Sequence, residues 1–311
     1  MHPLLEKKGF ILDIDGVIGR GETPIPAGVN AVKKLREDGK KLIFVSNNST
    51  RSRNIMIERF QRFGLDVKEE EMLLCTFATA RFISREKERA KIYTTGEGGL
   101  IEELELAGHR LVDYEDAEYL VVGTNRRISY DILTRALRLT LNENIRYIAT
   151  NSDKIFPSES GPTPGTGMLV GALYWMTDRT PDVVVGKPSK VIMEEALDIL
   201  GLRADEVAVV GDQIEVDVVA GRNINSETVL VLTGVTTRDN LPHIIEKIGY
   251  EAVEIATVGD ISMKELRSIL DGEELVCCSI HEAGENILRN PEKTAEKVKT
   301  LGCDYVTYPY P

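Results

Sequence analysis

Phe10-Ile11-Leu12-Asp13-Ile14-Asp15-Gly16-Val17 is an apolar run that ends in two aspartates one residue apart, followed by a glycine. A run this apolar predicts a strand buried on both faces, and so a strand inside a parallel sheet. Residues i and i+2 of a strand share a face, which should bring Asp13 and Asp15 to one place at the strand end. Two carboxylates held that close repel each other, and one resists ionising unless a cation lies between them. Oxygen donors at a strand end suit Mg2+, which takes few protein ligands and keeps much of its water. The stretch points to metal-assisted chemistry.

Strands and helices alternate outward from this run. Helical spacing of Val29, Val32 and Leu35 predicts a helix near 28–38, then a strand at 41–45. A helix near 52–63 carries Ile55, Ile57, Phe60 and Phe63 and closes at Gly64. Further strands are predicted at 91–94, 119–123, 145–149, 182–185, 207–210 and 227–232, and helices at 76–89, 97–107, 129–141, 168–178 and 190–201. This alternation predicts an α/β fold, a doubly wound parallel sheet. The expected division is a core from 1–72 and 180–271, an inserted α/β cap at 73–179, and an extension at 272–311 that reads as an edge addition to the core.

With 311 residues and 42% apolar content, the chain can bury a substantial core. A net charge of −12 argues against a nucleic-acid partner. Cys75, Cys277, Cys278 and Cys303 form no C-x-x-C pair and read as reduced thiols of a cytoplasmic protein. Met1 to Lys8 has no secretory apolar segment, and no run reaches membrane-spanning length. His2, His109, His243 and His281 are scattered and read as surface residues. Trp175, with Leu169, Ala172 and Met176 at helical spacing, reads as packed in the core or a cap interface.

Four polar clusters each follow an apolar strand: Asp13 with Asp15, Ser46-Asn47-Asn48, Lys187, and Asp212 with Asp217. The carboxyl ends of strands in an open α/β sheet line one crevice, so these residues are expected to meet. Taken singly, each also reads as a turn, a helix cap or a loop lysine. Together they match the needs of phosphate-ester hydrolysis. Asp13 is the candidate nucleophile and Asp15 the candidate acid/base. Ser46 and Asn47 are candidate phosphate donors, aided by the positive end of the helix that follows. Lys187 supplies a cation to the phosphate and the transition state. Asp212 completes a metal site with Asp13 and Asp15, while Asp217 holds Lys187 or a metal-bound water.

These motifs, Asp13-Ile14-Asp15-Gly16-Val17, Ser46-Asn47-Asn48-Ser49, Gly186-Lys187-Pro188 and Gly211-Asp212-Gln213-Ile214-Glu215-Val216-Asp217, resemble the haloacid dehalogenase superfamily of phosphohydrolases. The cap is similar to the class IIA type, the NagD-like and p-nitrophenyl-phosphatase-like group. The resemblance covers about residues 8–270. It implies a Rossmann-like core, a phospho-aspartate at Asp13, and Mg2+ held by Asp13, the backbone carbonyl of Asp15, and Asp212. It also implies a flexible flap at 16–26 and a substrate-facing cap loop with Asn151, Asp153 and Gly167 as specificity residues. Asn125 stands where the group often has an aspartate, and Val216 where it often has threonine. The expected partner is a small-molecule phosphate ester, with no nucleic acid or membrane partner, and a cap-mediated homodimer. A phosphotransferase or mutase would use the same nucleophile. A phospho-accepting receiver module would share the aspartates, but it lacks a large insert.

Overall fold

The computed structural model describes residues 3–156, 161–241, 252–255, 262–272, 276–281, 289–303 and 306–307. The chain divides into two compact units, Lys7–Val235 and a second formed by Met1–Glu6 with Thr236–Pro311.

The first unit holds two five-stranded parallel sheets. One is ordered β14-β13-β1-β4-β5, with β1 Gly9–Leu12, β4 Lys41–Ser46, β5 Met72–Leu74, β13 Val207–Gly211 and β14 Glu227–Leu230. The other is ordered β12-β9-β8-β6-β7, with β6 Lys91–Thr94, β7 Arg110–Leu111, β8 Tyr119–Val122, β9 Arg146–Ala149 and β12 Val183–Val184. Every pairing within them is parallel. All four residues of β1 and of β8 are buried, as a strand covered on both faces requires.

Alternation along β4 shows how the first sheet is covered on both sides. Ile43 and Val45 join a core with Cys75, Ala78, Ile192, Met193 and Ala196, from helices Cys75–Glu86 and Lys190–Leu200. Phe44, pointing the other way, meets the edge of Phe60 on helix Arg53–Arg62 at 4.7 Å between ring centroids. That core continues into the second sheet through Ile92, Val121 and Ile148. The second sheet's far face packs Leu120, Val122 and Tyr147 against Ala136, Leu139, Leu169 and Leu173 of helices Tyr130–Thr140 and Gly167–Thr177.

Several expectations change. Strand β5 was not expected. The strand predicted at 182–185 lies at the edge of the second sheet, paired with β9, and not in the sheet that contains β1. On helix Arg53–Arg62 the covered stripe is Met56, Arg59 and Phe60, while Ile55 is exposed. His109 is buried, its Nε2 near the Ser84 hydroxyl and the Ala80 carbonyl and its Nδ1 accepting from the Ala90 N–H. Trp175 is 87% exposed, because Leu169 and Leu173 fill the inward face of its helix.

In the second unit, β15 Ala252–Ile255, β16 Val276–His281 and β17 Val306–Thr307 form their own parallel sheet in that order, with helices Met263–Gly272 and Pro291–Leu301 as crossovers. Among the described residues, the strands of the extension, β16 and β17, pair with each other and with β15, in place of the expected addition to the core sheet. No described helix is long and apolar enough to cross a membrane.

Candidate active site

Asp13 and Asp212 directly follow the adjacent strands β1 and β13, so strand pairing alone brings them together. The Asp13 N–H donates to the Val210 carbonyl at 2.8 Å. Past β13 the chain makes a π-helical turn over Ile214–Val218, which sets Asp217 beside them. One carboxylate oxygen from each of Asp13, Asp212 and Asp217 lies within 4.8 Å of the others, and all three residues are buried. Lys187, 2% exposed, donates from Nζ to Asp13 Oδ1 at 2.5 Å and to Asp217 Oδ1 at 2.6 Å.

Burial pushes the Asp13 carboxyl well above the usual range. Lys187 pulls against that shift, and Asp217 and Asp212 reinforce it. Burial also raises Asp212, to about 6, although the Val235 N–H donates to its Oδ2. Lys187 shows the opposite balance. Burial disfavours its charge, yet Asp13 and Asp217 outweigh burial and raise its pKa, so it stays protonated. One ammonium thus faces three carboxylates, and Asp212 Oδ1 is buried without a hydrogen-bond partner among the described residues. An unpartnered oxygen and surplus negative charge in an all-oxygen cluster fit a hard divalent cation.

Lys187 reaches this cluster from the second sheet, not the first. Its peptide leaves the end of β12, and the Asn47 side chain ties it across. Asn47 Oδ1 accepts from the Lys187 N–H at 2.8 Å, and Nδ2 donates to the Lys187 carbonyl at 2.9 Å. The same Nδ2 donates to both Asp153 oxygens at 3.1 Å. The Asn47 amide is therefore committed to protein partners and is not free to bind phosphate, contrary to the expectation for its side chain. Ser46 closes β4 and is buried; its hydroxyl accepts from the Asn48 N–H at 3.1 Å, which leaves its own proton to donate.

Among the expected specificity residues, Asn151 is fully buried. Its Nδ2 donates to the Asn47 carbonyl at 2.9 Å and its Oδ1 accepts from the Asp153 N–H at 3.1 Å. Its side chain supports the loop. The Gly167 N–H donates to the Asp153 carbonyl at 2.9 Å, and a Cβ there would lie 2.6 Å from the Ser152 carbonyl oxygen. Asp153 keeps part of its surface exposed, and burial raises its pKa to about 6 against the Asn47 hydrogen bond and Lys187. Asn125 donates to the Thr95 carbonyl and accepts from the Arg127 N–H, so it closes a turn.

Asp15 departs from the expected geometry. β1 ends at Leu12, and Gly16 takes a φ of +94°, so the strand rule for i and i+2 no longer applies at Asp15. The Asp15 carboxylate accepts from Arg59 Nη2 at 2.7 Å and is not part of the three-carboxylate group. The third carboxylate there is Asp217. The Asp15–Gly16 backbone stays close, since a Cβ on Gly16 would lie 2.5 Å from Asp212 Cγ. The flap is a hairpin of β2 Gly19–Arg20 and β3 Thr23–Pro24, and Arg20 donates to the Thr233 carbonyl.

Sequence reasoning missed three features. Arg59 could have been found as a charged residue three from Met56 and four from Phe63, on the apolar stripe. Buried hydroxyls of Ser49, Thr124 and Thr166 bond across the two sheets' loops, Ser49 to Thr124 at 2.9 Å and Thr124 to Thr166 at 2.7 Å. The segment Thr233-Gly234-Val235 covers Asp212, and no local signal marks it.

Residues 10–110 match the family described as haloacid dehalogenase-like hydrolase, and residues 184–260 match one described as HAD-hydrolase-like. The chain is 35% identical over 240 residues to 5'-nucleotidase YutF of Bacillus subtilis, covering 77% of this chain and 93% of the relative. Among solved structures it is similar to a p-nitrophenyl phosphatase from Archaeoglobus fulgidus, with 69% identity, a TM-score of 0.76, and 78% of this chain and 92% of the other covered. It is also similar to NagD from E. coli K-12, with 31% identity, a TM-score of 0.69, and coverage of 76% and 91%. With two family models matched and relatives covered over nearly their whole length, the chain belongs to the haloacid dehalogenase-like hydrolases, in their NagD-like, p-nitrophenyl-phosphatase-like group.

Proposed function

We propose that the chain hydrolyses a small phosphomonoester, with Mg2+, through a phospho-aspartate at Asp13. The observation that carries this reading is the buried cluster of Asp13, Asp212 and Asp217 around Lys187, with one Asp212 oxygen unpartnered. Asp13 and Asp212, with the Asp15 carbonyl, would hold Mg2+, which supplies charge neutralisation for the phosphoryl group.

Lys187 fixes Asp13 by its Oδ1 and leaves Oδ2 for phosphorus. Attack by Oδ2 forms the Asp13–phosphorus bond as the ester oxygen departs. Asp15, protonated, gives its proton to that oxygen and releases an alcohol. Asp15, now a carboxylate, takes a proton from water as the water attacks the aspartyl phosphate. Inorganic phosphate leaves, and Asp13 is restored. The Ser46 hydroxyl and Lys187 are placed to offset the charge on the phosphoryl oxygens. The leaving group is placed on the side of Asp153, which keeps part of its surface exposed.

Release of inorganic phosphate from p-nitrophenyl phosphate tests this reading. Wild type is expected to work with Mg2+ and to lose activity in EDTA. Asp13→Asn is expected to lose on the order of 10³-fold or more in kcat, because the nucleophile is gone. Activity equal to wild type in Asp13→Asn would overturn the mechanism.

A further inference from the structure

Arg59 lies on the inward stripe of helix Arg53–Arg62 and is 1% exposed. Burying a guanidinium costs several kcal/mol, and a buried cation normally satisfies its donors through several partners. Arg59 does not. Among the described residues, its hydrogen bonding is a single contact from Nη2 to Asp15 Oδ1 at 2.7 Å, and its buried Nε has no partner. The guanidinium carbon lies 5.2 Å from the Phe63 ring centroid, a weak addition. Met56 and Phe60 beside it are fully buried, so methionine or leucine would fill this place at lower cost. Stability does not explain this arginine; what it does is hold one oxygen of Asp15.

Asp15 needs such a tether. It follows the end of β1, precedes a glycine with positive φ, and its side chain is 42% exposed. No strand pairing fixes its rotamer beyond a single bridge to Gly19. A proton donor that is free to swing loses much of the benefit of proximity.

We infer that Arg59 is the positioning residue for the Asp15 acid/base, gripping one carboxylate oxygen so that the other stays aimed at the departing ester oxygen. This inference rests on the proposed phospho-aspartate mechanism. Its consequence is selective. A leaving group that departs readily as an anion hardly needs the proton, whereas an alkoxide does.

The test compares kcat/KM for p-nitrophenyl phosphate and benzyl phosphate, because kcat/KM reports only steps up to release of the leaving group. Arg59→Met is expected to lower kcat/KM on benzyl phosphate on the order of 10²-fold, and on p-nitrophenyl phosphate by less than about threefold. Arg59→Lys should recover at least about a tenth of wild-type benzyl phosphate activity, because it restores a cation at the same place. In an Asp15→Asn background, Arg59→Met should add nothing, since the two act as one unit. Equal losses on both substrates, or independent effects in the double variant, would overturn the role. If Arg59→Met does not fold, Arg59→Gln carries the same comparison. Asp13→Asn is the control on the underlying mechanism: full activity there removes the mechanism itself, whereas loss there with no substrate selectivity in Arg59→Met removes only the role of Arg59.

Discussion

Lys187 is the ammonium that balances the buried carboxylate cluster when no ligand is bound. Three buried carboxylates face one ammonium, so full ionisation leaves two surplus negative charges. Without a metal, protons take up part of that surplus. Burial raises Asp13, and it raises Asp212 to about 6. Replacing Lys187 with methionine therefore has a pH-dependent cost. At pH 8, in EDTA, the carboxylates are driven to ionise without their cation, and the loss should be about 3 kcal/mol or more by urea denaturation. At pH 5, below the raised Asp212 value, protons replace the lysine and the loss should shrink. An equal loss at both pH values would show that Lys187 does not hold this charge balance.

Between elements, a backbone contact at glycine adds to the side-chain bonds that hold the loops. The Gly99 N–H, at the start of helix Gly99–Leu106, donates to the Thr50 carbonyl at 3.0 Å. A Cβ on Gly99 would lie 2.1 Å from the Arg51 carbonyl carbon. Gly99→Ala must push the loop after Ser46 away from this helix. The expected cost is about 1–3 kcal/mol of stability, with a raised KM because the Ser46 loop shifts. Unchanged stability would mean the two loops move independently. This packing also shows where the sequence could be read. β1, β4, β8 and β13 are continuous apolar runs between polar ends, and their positions follow from that pattern. Met72–Leu74 hid because its three residues run directly into helix Cys75–Glu86 without a turn signal. The strand before Lys187 was visible as an element, but apolar spacing does not say which sheet it joins. Pairing of Val183 with Ile148 decides that, and the Asn47 side chain then brings Lys187 to Asp13. Asp13, Ser46 and Asp212 were legible for the same reason as the main strands, since each closes an apolar run. Arg59 was legible only from its place between Met56 and Phe63 on the apolar stripe, since an arginine on a short helix otherwise reads as solvated.

Asp13, Ser46, Lys187, Asp212 and Asp217 come from widely separated parts of the Lys7–Val235 unit, so charge in the site is coupled to the stability of the whole unit. Asp212 and Asp153 both rise from an ordinary 3.8 to about 6 through burial. Their folded forms hold protons that the unfolded chain has already released between those values. Stability of the metal-free protein should therefore be greatest below pH 4, as far as these two groups decide it, and fall as pH rises towards 6. In the proposed mechanism Mg2+ would compete with protons at Asp13 and Asp212. A cation that binds only the folded form stabilises it by about 2.7 kcal/mol at a hundred times its dissociation constant. Melting temperatures in EDTA and in saturating Mg2+ should hence differ more at pH 7.5 than at pH 5, because at the lower pH the cation must displace protons. Adding Mg2+ to Asp212→Asn should give a smaller shift at pH 7.5, and that shift should depend less on pH. A melting temperature that responds to Mg2+ equally at both pH values, or equally in Asp212→Asn, would place the ion somewhere other than among these carboxylates.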